Sequence, residues 1–281
     1  MNLNARQLQS AALAIIAASD EGRSGLAVLR RLCPEIHRQI RSDARRPQFL
    51  RLWGRCVNID ENAGAVIVHP AILRLIGALA GTPMRPPIVH AGLEHTYGYL
   101  FSLIDTPYGR KRDRWLSTAI ERGFGLDPTS FDAAPWHGTL LGNVTWFLAH
   151  VVLRRHPRVL RRLEDEQDAV APDVRTLAYE GLTVRRIVEE PEGLSVRLLT
   201  DLIDFPRPPA DTTAESTLLA HAVQHGRRPP RLLTMFPMRP QAVEELLASV
   251  RLGAVEIRTR YNAYLRGLTG KPRTGRRYLQ N

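Results

Sequence analysis

The 281-residue sequence predicts an α+β fold, with a mainly helical half over residues 1–170 and an α+β half with mainly antiparallel strands over residues 171–281. Two patterns predict this division. Apolar residues recur every three or four positions in the first half, whereas apolar and β-branched residues alternate or run together in the second. A hydrophobic fraction of 44% and a charged fraction of 24% are typical of a globular protein with ample length for a core.

Helical spacing defines the elements of the first half. One apolar face runs through residues 3–18, and a second covers residues 26–40 with a kink expected at Pro34. The turn at residues 60–64 predicts a short hairpin, and a proline-initiated helix covers residues 70–80. Further helices are expected over residues 110–122 and, fully buried, over residues 139–155.

Strand patterns dominate the second half. The segments TLAYE, TVRRIVE and SVRLLTDLID predict strands, and a turn at residues 190–193 joins the last two as a hairpin. A strand at RLLTMF, a helix over residues 241–250, a strand at AVEIRTRY and a basic tail complete the chain. The sequence has no GxGxxG, P-loop or GxSxG motif, which argues against a Rossmann nucleotide-binding unit and an α/β-hydrolase.

An excess of arginine is the most unusual feature of the composition. Lys+Arg number 39 against 28 Asp+Glu, a net charge of +11, and only Lys111 and Lys271 are lysines. Nine arginines lie between residues 23 and 55. Either a GC-rich coding sequence produces this bias, or the protein binds an anionic partner such as nucleic acid, a phosphorylated substrate or an acidic protein with a phosphopantetheine arm.

Cysteine content and hydropathy predict the compartment. Cys33 and Cys56 are too few for a disulfide framework, and no Cys/His spacing matches a zinc site. The N-terminus lacks the A-x-A-type cleavage site of a signal peptide. The apolar run at residues 140–153 is too short to span a bilayer. We therefore expect a cytoplasmic, reduced protein with no membrane partner.

The segment at residues 88–115, IVHAGLEHTYGYLFSLIDTPYGRKRDRW, is the strongest candidate for a site because it combines histidines, acids, tyrosines and a basic cluster without a regular period. His90, Glu94 and His95 are close to the HxxEH metal pattern but have one residue too many. Five positions rotate a helix by about 500°, which leaves the two histidines about 140° apart. No metal site is expected.

Of the two thiols, Cys56 is the better candidate for a reactive one. It follows Gly54, where the helical period has stopped, and it lies next to Arg55. Cys33 lies on an apolar stripe as a small core residue. If a helix restarts at Pro34, however, Cys33 becomes its N-cap, where the helix dipole would lower the thiol pKa.

A cysteine nucleophile needs a nearby base, and that base needs an acid to hold its tautomer. The chain offers Cys56, His95 and Asp105 in an order that resembles transglutaminases and arylamine acetyltransferases. The segment EHTYGYLFSLIDTPYG looks like the strand pair on which those families bring histidine and aspartate together. The resemblance implies a cysteine-protease-like arrangement of the Cys helix and strands, although the usual glycine-rich cysteine signature is missing.

The identity of the orienting acid stays open. Ten extended residues span about 33 Å, so His95 and Asp105 meet only if the chain turns between them. The alternative acids are Glu94, Glu121 and Asp113. In the simpler interpretation, His95 packs within a strand and Asp105 caps the turn before Pro107.

The block HAGLEHTYGYLFSLIDTPYGRKRDRW resembles the condensation enzymes of lincosamide-antibiotic biosynthesis. The resemblance implies an amide-forming acyltransferase. Cys56 would accept a proline-type aminoacyl group from a peptidyl carrier protein and pass it to an aminosugar amine. The carrier would supply the phosphopantetheine arm, so no cofactor is expected in the enzyme itself. His95 would act as the base, with an acid to orient it. Candidate residues for binding the aminosugar are Tyr97, Tyr99 and Tyr108. A candidate docking rim for the acidic carrier comprises Arg110, Lys111, Arg112 and Arg114.

Two other classes compete with this hypothesis. A nucleic-acid-binding or regulatory protein would use the arginine-rich helical face of residues 23–55, although the lack of a recognition module argues against nucleic acid. An enzyme without a covalent step would instead use one histidine for acid/base chemistry. The candidates for that role are His90, His137 and His150.

Overall fold

The computed structural model describes residues 4–60, 63–106, 110–112, 139–153, 161–162, 174–179, 182–189, 196–204 and 217–251. Within these ranges the chain is mixed helix and sheet, with an antiparallel sheet in its C-terminal half. The predicted α+β class is confirmed at this level. No helix in the described ranges has the length and apolarity that a membrane crossing requires.

The first helix follows the predicted apolar spacing. It is α1 (Ala5–Asp20), which begins at Asn4, whose side chain accepts a hydrogen bond of 2.8 Å from the backbone N–H of Arg6. One stripe of its surface is buried in the core. The buried side chains of this stripe are Leu8, Ala11, Ala12, Ile15 and Ala18.

The kink expected at Pro34 is a complete break between α2 (Leu26–Leu32) and α3 (Pro34–Ala44). Proline stands in the first turn of α3, where its missing N–H leaves no helical hydrogen bond unmade. Cys33 lies at the junction as a buried core residue, and burial raises the pKa of its thiol to about 11. Cys33 is thus the N-cap of α3, as the alternative expected, but its side chain makes no capping hydrogen bond, and burial raises its thiol pKa rather than lowering it.

Short strands follow α4 (Pro47–Arg51): β1 (Arg55–Val57), β2 (Ile59–Asp60) and β3 (Ala65–Val66). β2 and β3 form the predicted hairpin, and Gly64 adopts φ 61° in its turn. The predicted proline-initiated helix is α5 (Pro70–Leu79). Beyond it, β4 (Ile88–His90) returns to pair antiparallel with β1, which sets Cys56 opposite Val89.

Residues 91–101 are helical and residues 102–106 form no strand, so the strand pair predicted at EHTYGYLFSLIDTPYG is wrong over its described part. An α-helical turn, α6 (Ala91–Leu93), continues into a π-helical turn at Glu94–Gly98 and a 3₁₀ turn at Tyr99–Phe101. The side chain of His90 caps the start by accepting from the N–H of Leu93 at 3.2 Å. All residues from 91 to 101 are buried, so the segment lacks the polar stripe by which a helix is recognised in a sequence.

The predicted buried helix at residues 139–155 is α7 (Leu140–Val151), whose N-cap Thr139 accepts from the N–H of Gly142 at 2.9 Å. The predicted helix over residues 110–122 is described only at residues 110–112, which are not helical. Its remainder lies outside the described residues.

The described strands of the second half form one antiparallel sheet in the order β10-β9-β8-β7-β6-β5. The strands are β5 (Arg161–Arg162), β6 (Val174–Tyr179), β7 (Leu182–Glu189), β8 (Val196–Asp204), β9 (Thr217–His225) and β10 (Arg231–Met238). The predicted strands TLAYE, TVRRIVE, SVRLLTDLID and RLLTMF are confirmed as β6, β7, β8 and β10. Helix α8 (Pro240–Arg251) confirms the predicted final helix, while AVEIRTRY and the basic tail lie outside the described residues.

The two halves share a core. Leu232 of β10 donates its N–H to Leu52 O at 2.8 Å and accepts from the N–H of Gly54 at 2.7 Å, and Trp53 forms a β-bridge with it. One cluster of buried apolar side chains extends from Leu8 to Met235. The boundary predicted between residues 170 and 171 lies outside the described residues, and the core continues on both sides of it.

Candidate functional site

Cys56, Glu94 and His95 converge in the interior although 38 residues separate the thiol from the carboxylate. The β1–β4 pairing brings the chain back alongside Cys56, and the turn at His90 then carries it into the π-helical segment that holds Glu94 and His95. The thiol sulfur, a carboxylate oxygen and a ring nitrogen all lie within 4.8 Å of one another. All three side chains are buried.

The thiol and the carboxyl form the shortest contact in this cluster. Cys56 Sγ donates a hydrogen bond to Glu94 Oε2 at 2.6 Å. Burial raises the pKa of Glu94 to about 7, because an apolar interior disfavours the charged form. Burial, together with the neighbouring carboxylate, also raises the pKa of Cys56 well above its ordinary value. The resting thiol is therefore protonated, with a base of near-neutral pKa beside it.

His95 is held by partners on both ring nitrogens. Nδ1 lies 2.7 Å from Ala91 O, and Nε2 lies 2.8 Å from Thr234 Oγ1 on β10. Its Nδ1 also lies 3.9 Å from Glu94 Oε2, which is too long for a hydrogen bond but close enough for interaction between charges. Because a carbonyl oxygen only accepts, Nδ1 carries a proton. In this arrangement His95 does not receive the thiol proton directly.

Aromatic rings fix the plane of His95. The Trp53 ring stacks on it with centroids 6.4 Å apart, and the Tyr99 ring lies against it at 4.7 Å. Trp53 is itself held by the hydrogen bond from its Nε1 to Thr145 Oγ1 at 2.8 Å. The imidazole therefore has little freedom to rotate.

Lys111 supplies a positive charge near the cluster. Its ammonium lies 2.7 Å from Asp60 Oδ2 and 5.7 Å from the centre of the Tyr99 ring. This charge lowers the pKa of Glu94, although burial outweighs it. The second oxygen of Glu94, Oε1, is buried without a hydrogen-bond partner in the described structure.

Asp105 does not belong to this cluster. Its side chain is 73% exposed and pairs with Arg110, whose Nε lies 2.5 Å from Asp105 Oδ1. That interaction lowers the pKa of Asp105. Since both ring nitrogens of His95 have other partners, the prediction that Asp105 orients His95 is not supported by the geometry. The alternative acids Asp113 and Glu121 lie outside the described residues.

The proposed docking rim is not a surface of free cations. Arg112 is buried, with Nη1 3.5 Å from Ala5 O, and the Lys111 side chain is only 12% exposed. Arg110 is bound to Asp105, while Arg114 lies outside the described residues. Cations that are buried against their own chain cannot contact a carrier protein, so Lys111 and Arg112 are corrected from docking residues to interior ones.

The tyrosines have different environments. Tyr97 is fully buried and donates its hydroxyl to Asp43 Oδ2, which corrects its predicted role in binding an acceptor. Tyr99 is buried between His95 and Lys111. Tyr108 lies outside the described residues.

Of the remaining histidine candidates, only His90 has its side chain within the described residues. His90 Nε2 lies 2.9 Å from Leu50 O, and burial lowers its pKa to about 4, so the ring is neutral at pH 7. His137 and the side chain of His150 lie outside the described part of the chain.

A thiol, a carboxylate and an imidazole are also ligands for Zn²⁺. The Cys56–Glu94 contact of 2.6 Å is much shorter than the roughly 3.5 Å between sulfur and oxygen ligands on a tetrahedral zinc ion. The proton on His95 Nδ1 further opposes coordination by that nitrogen. The spacing fits groups that share protons better than groups that hold a metal.

Three neighbours of the site could not be predicted from local sequence pattern, namely Trp53, Asp60 and Thr234. Thr234 lies 139 positions from His95, and a single threonine in a strand carries no local signal. Only the pairing of β10 with the Leu52–Gly54 backbone brings it there.

No protein-family model matches the sequence, and no curated protein or solved structure is significantly similar to it.

Proposed function

We propose that this protein is a cysteine-dependent acyltransferase in which Cys56 is the nucleophile and Glu94 is the base that takes its proton. The supporting observation is the buried hydrogen bond of 2.6 Å from the thiol to the carboxyl. A base with a pKa of about 7 is matched to proton transfer near neutral pH. Glu94 thus takes the place of His95, which was the general base in the sequence hypothesis, and His95 becomes an electrostatic partner.

The reaction would proceed through a thioester on the enzyme. Cys56 loses its proton to Glu94 and attacks the acyl carbon of the donor thioester, forming a new C–S bond. The donor C–S bond breaks, and its sulfur takes the proton from Glu94. An amine then attacks the acyl-enzyme, its proton passes to Glu94, and the Cys56 sulfur leaves with that proton. No oxidant or metal is required.

His95 would stabilise the charge of the pair. The thiol and carboxylate together carry one negative charge, whether their shared proton lies on sulfur or oxygen. A protonated His95 at 3.9 Å from Glu94 Oε2 balances that charge, and both of its N–H groups have acceptors in Ala91 O and Thr234 Oγ1. Such electrostatic stabilisation is strong in a buried site.

The substrates follow from the resemblance to the lincosamide condensation enzymes. We propose a proline-type aminoacyl thioester on a peptidyl carrier protein as the donor and an aminosugar amine as the acceptor. Exclusion of water from the buried cluster supports aminolysis over hydrolysis. Because Cys56 is buried, acylation requires the surrounding structure to open. Cys33 and Cys56 are both free thiols, in keeping with the cytoplasmic, reduced location that we propose.

Intact-protein mass spectrometry tests this function. After incubation with a carrier-bound aminoacyl thioester, the wild-type protein should gain the mass of one acyl group, which proteolytic mapping places on Cys56. The Cys56→Ala variant should gain none and should lose amide formation, whereas Cys33→Ala should behave as wild type. Full transfer activity in Cys56→Ala would exclude the covalent mechanism.

Nucleic-acid or regulatory binding is the second candidate function. Eight of the nine arginines between residues 23 and 55 are exposed, although Arg23 and Arg38 pair with Glu21 and Glu35. Binding to generic duplex or single strands should weaken steeply with added salt. Absence of such binding at low salt would remove this candidate.

A further inference from the structure

We propose that Thr234, in the C-terminal sheet, is a positioning residue that acts on the site through His95. This inference rests on the proposed function, because it explains how the buried imidazole can carry the charge that balances Cys56 and Glu94. Its hydroxyl forms a hydrogen bond with the imidazole of His95 rather than with a group that reacts. Its role is therefore to orient the ring and to accommodate its protonation.

The hydrogen bonds of His95 define what Thr234 must do. Nδ1 donates to Ala91 O at 2.7 Å, so the neutral ring has its lone pair on Nε2. Thr234 Oγ1, at 2.8 Å, then donates its hydroxyl proton to that lone pair. This pair of contacts selects one tautomer of the neutral ring.

A hydroxyl can also reverse its direction. When Nε2 gains a proton, the Thr234 hydroxyl rotates and accepts from it, so that both N–H groups of the imidazolium keep a partner. A buried N–H without an acceptor would disfavour the charged ring. The described titratable groups beside His95 are Cys56 from β1, Glu94 from the π-helical turn and Tyr99 from the 3₁₀ turn, and Lys111 lies across the Tyr99 ring.

The backbone holds Thr234 in place from both sides. Its register partner on β9 is His221, and the register shifts between Leu232 and Thr234, so the strand is irregular at this point. Such an irregularity can redirect a side chain near a functional site. Leu232 is fixed two residues earlier by hydrogen bonds to Leu52 and Gly54, the segment that leads into Cys56. The strand that positions His95 is thus joined to the strand that carries the thiol.

The chain offers a matched control for this contact. Thr200 in β8 lies 2.9 Å from Nδ1 of His221, which is another buried threonine–histidine hydrogen bond in the same sheet. Valine has nearly the shape of threonine but no hydroxyl, whereas serine keeps the hydroxyl. The variants are therefore Thr234→Val, Thr234→Ser and the control Thr200→Val.

The first measurement needs no substrate. Histidine side-chain ¹⁵N NMR reports which ring nitrogen is protonated, and the His95 signal is assigned by its loss in His95→Gln. In Thr234→Val the Nε2 resonance should shift and the ring should take up its second proton at lower pH, while Thr234→Ser and Thr200→Val should follow wild type. An unchanged His95 titration in Thr234→Val would overturn the proposal, whether or not Cys56 is the nucleophile.

The second measurement is acyl transfer. Thr234→Val should lower kcat/KM by about tenfold or more, the usual effect of losing a group that orients a catalytic side chain. The alkaline limb of its kcat/KM profile should move to lower pH, because His95 would lose its second proton sooner. Thr234→Ser should restore most of the rate. An equal rate loss in Thr200→Val, or no rescue by serine, would show a merely structural effect and contradict the proposal.

Discussion

Glu94 is the residue on which the proposed chemistry depends most directly. Its Oε2 accepts a hydrogen bond from the Cys56 thiol, and its Oε1 has no hydrogen-bond partner in the described structure. Burial raises its pKa to about 7, while the thiol and Lys111 act in the opposite direction. A carboxyl in this environment exchanges its proton near neutral pH, which an exposed glutamate does not do.

The pH dependence of acyl transfer should therefore have an acidic limb near pH 7. Glu94 acts as a base only when it is deprotonated, so activity is present above a pH of about 7 and falls as the pH is lowered through that value. Glu94→Gln keeps the shape but cannot take a proton, and it should lower kcat by about 10²–10⁴-fold. The measurement is kcat/KM against pH for both proteins, because this ratio reports groups of the unliganded enzyme. An unaltered acidic limb in Glu94→Gln would show that another group titrates there.

At the scale of elements, the helical segment from Ala91 to Phe101 determines the geometry of the site. It approaches Trp53 so closely at Gly92 that a Cβ there would lie 2.6 Å from Trp53 Cγ. The Trp53 ring is held against movement, because it stacks on His95 and donates a hydrogen bond to Thr145. Because Gly92 lies within a helical turn, a glycine is needed at this position for space and not for its conformational freedom.

Gly92→Ala should accordingly disturb both stability and the site. Overpacking of this kind costs about 1–3 kcal/mol, and displacement of Trp53 should also lower transfer activity. Gly98→Ala is the matched control in the same segment, because its Cβ would meet the flexible end of Leu73 at 3.2 Å and would be in ordinary contact with Val68 Cγ2 at 3.4 Å and Glu94 Cγ at 3.6 Å. Urea unfolding of both variants measures the difference. Equal losses of stability would mean that the Trp53 contact is not the cause.

At the scale of the whole molecule, a buried polar network joins separate elements. Asp43 of α3 accepts hydrogen bonds from the Tyr97 hydroxyl in the π-helical turn and from Thr139 Oγ1 at the start of α7, the latter at 2.7 Å. Burial raises the pKa of Asp43 to about 6, and these hydrogen bonds only partly oppose it. The network therefore connects α3, the π-helical turn and α7 through a carboxyl whose charged form is disfavoured by burial.

This network predicts a pH dependence of the free energy of unfolding. The folded protein holds the Asp43 proton more tightly than the unfolded chain, whose aspartate pKa is about 3.9. Stability from this group should thus fall as the pH rises from about 4 to about 6 and stay level above it. Asp43→Asn should remove this component, seen as the difference between the two proteins in urea unfolding at several pH values. Parallel curves for wild type and Asp43→Asn would contradict it.

Much of the fold could be predicted from local pattern. The helices α1, α5 and α7, the hairpin at Gly64 and the strands β6 to β8 follow apolar spacing and turn residues. Prediction failed at residues 94–101, where burial on every side removed the polar stripe that distinguishes a helix from a run of buried strand residues. It also failed for the docking rim, because a sequence does not show whether a cation faces solvent or, as with Lys111, an interior carboxylate.

The sequence by itself determined the α+β class, most element boundaries, and Cys56, Glu94 and His95 as candidates for a site. Only the tertiary structure decided that Glu94, rather than His95, accepts the hydrogen bond of the thiol, and that Thr234, rather than Asp105, contacts the His95 ring. The physical reason is distance along the chain. Helical and strand spacing arise within a few residues, whereas contacts across 38 and 139 positions depend on how β1, β4 and β10 pair.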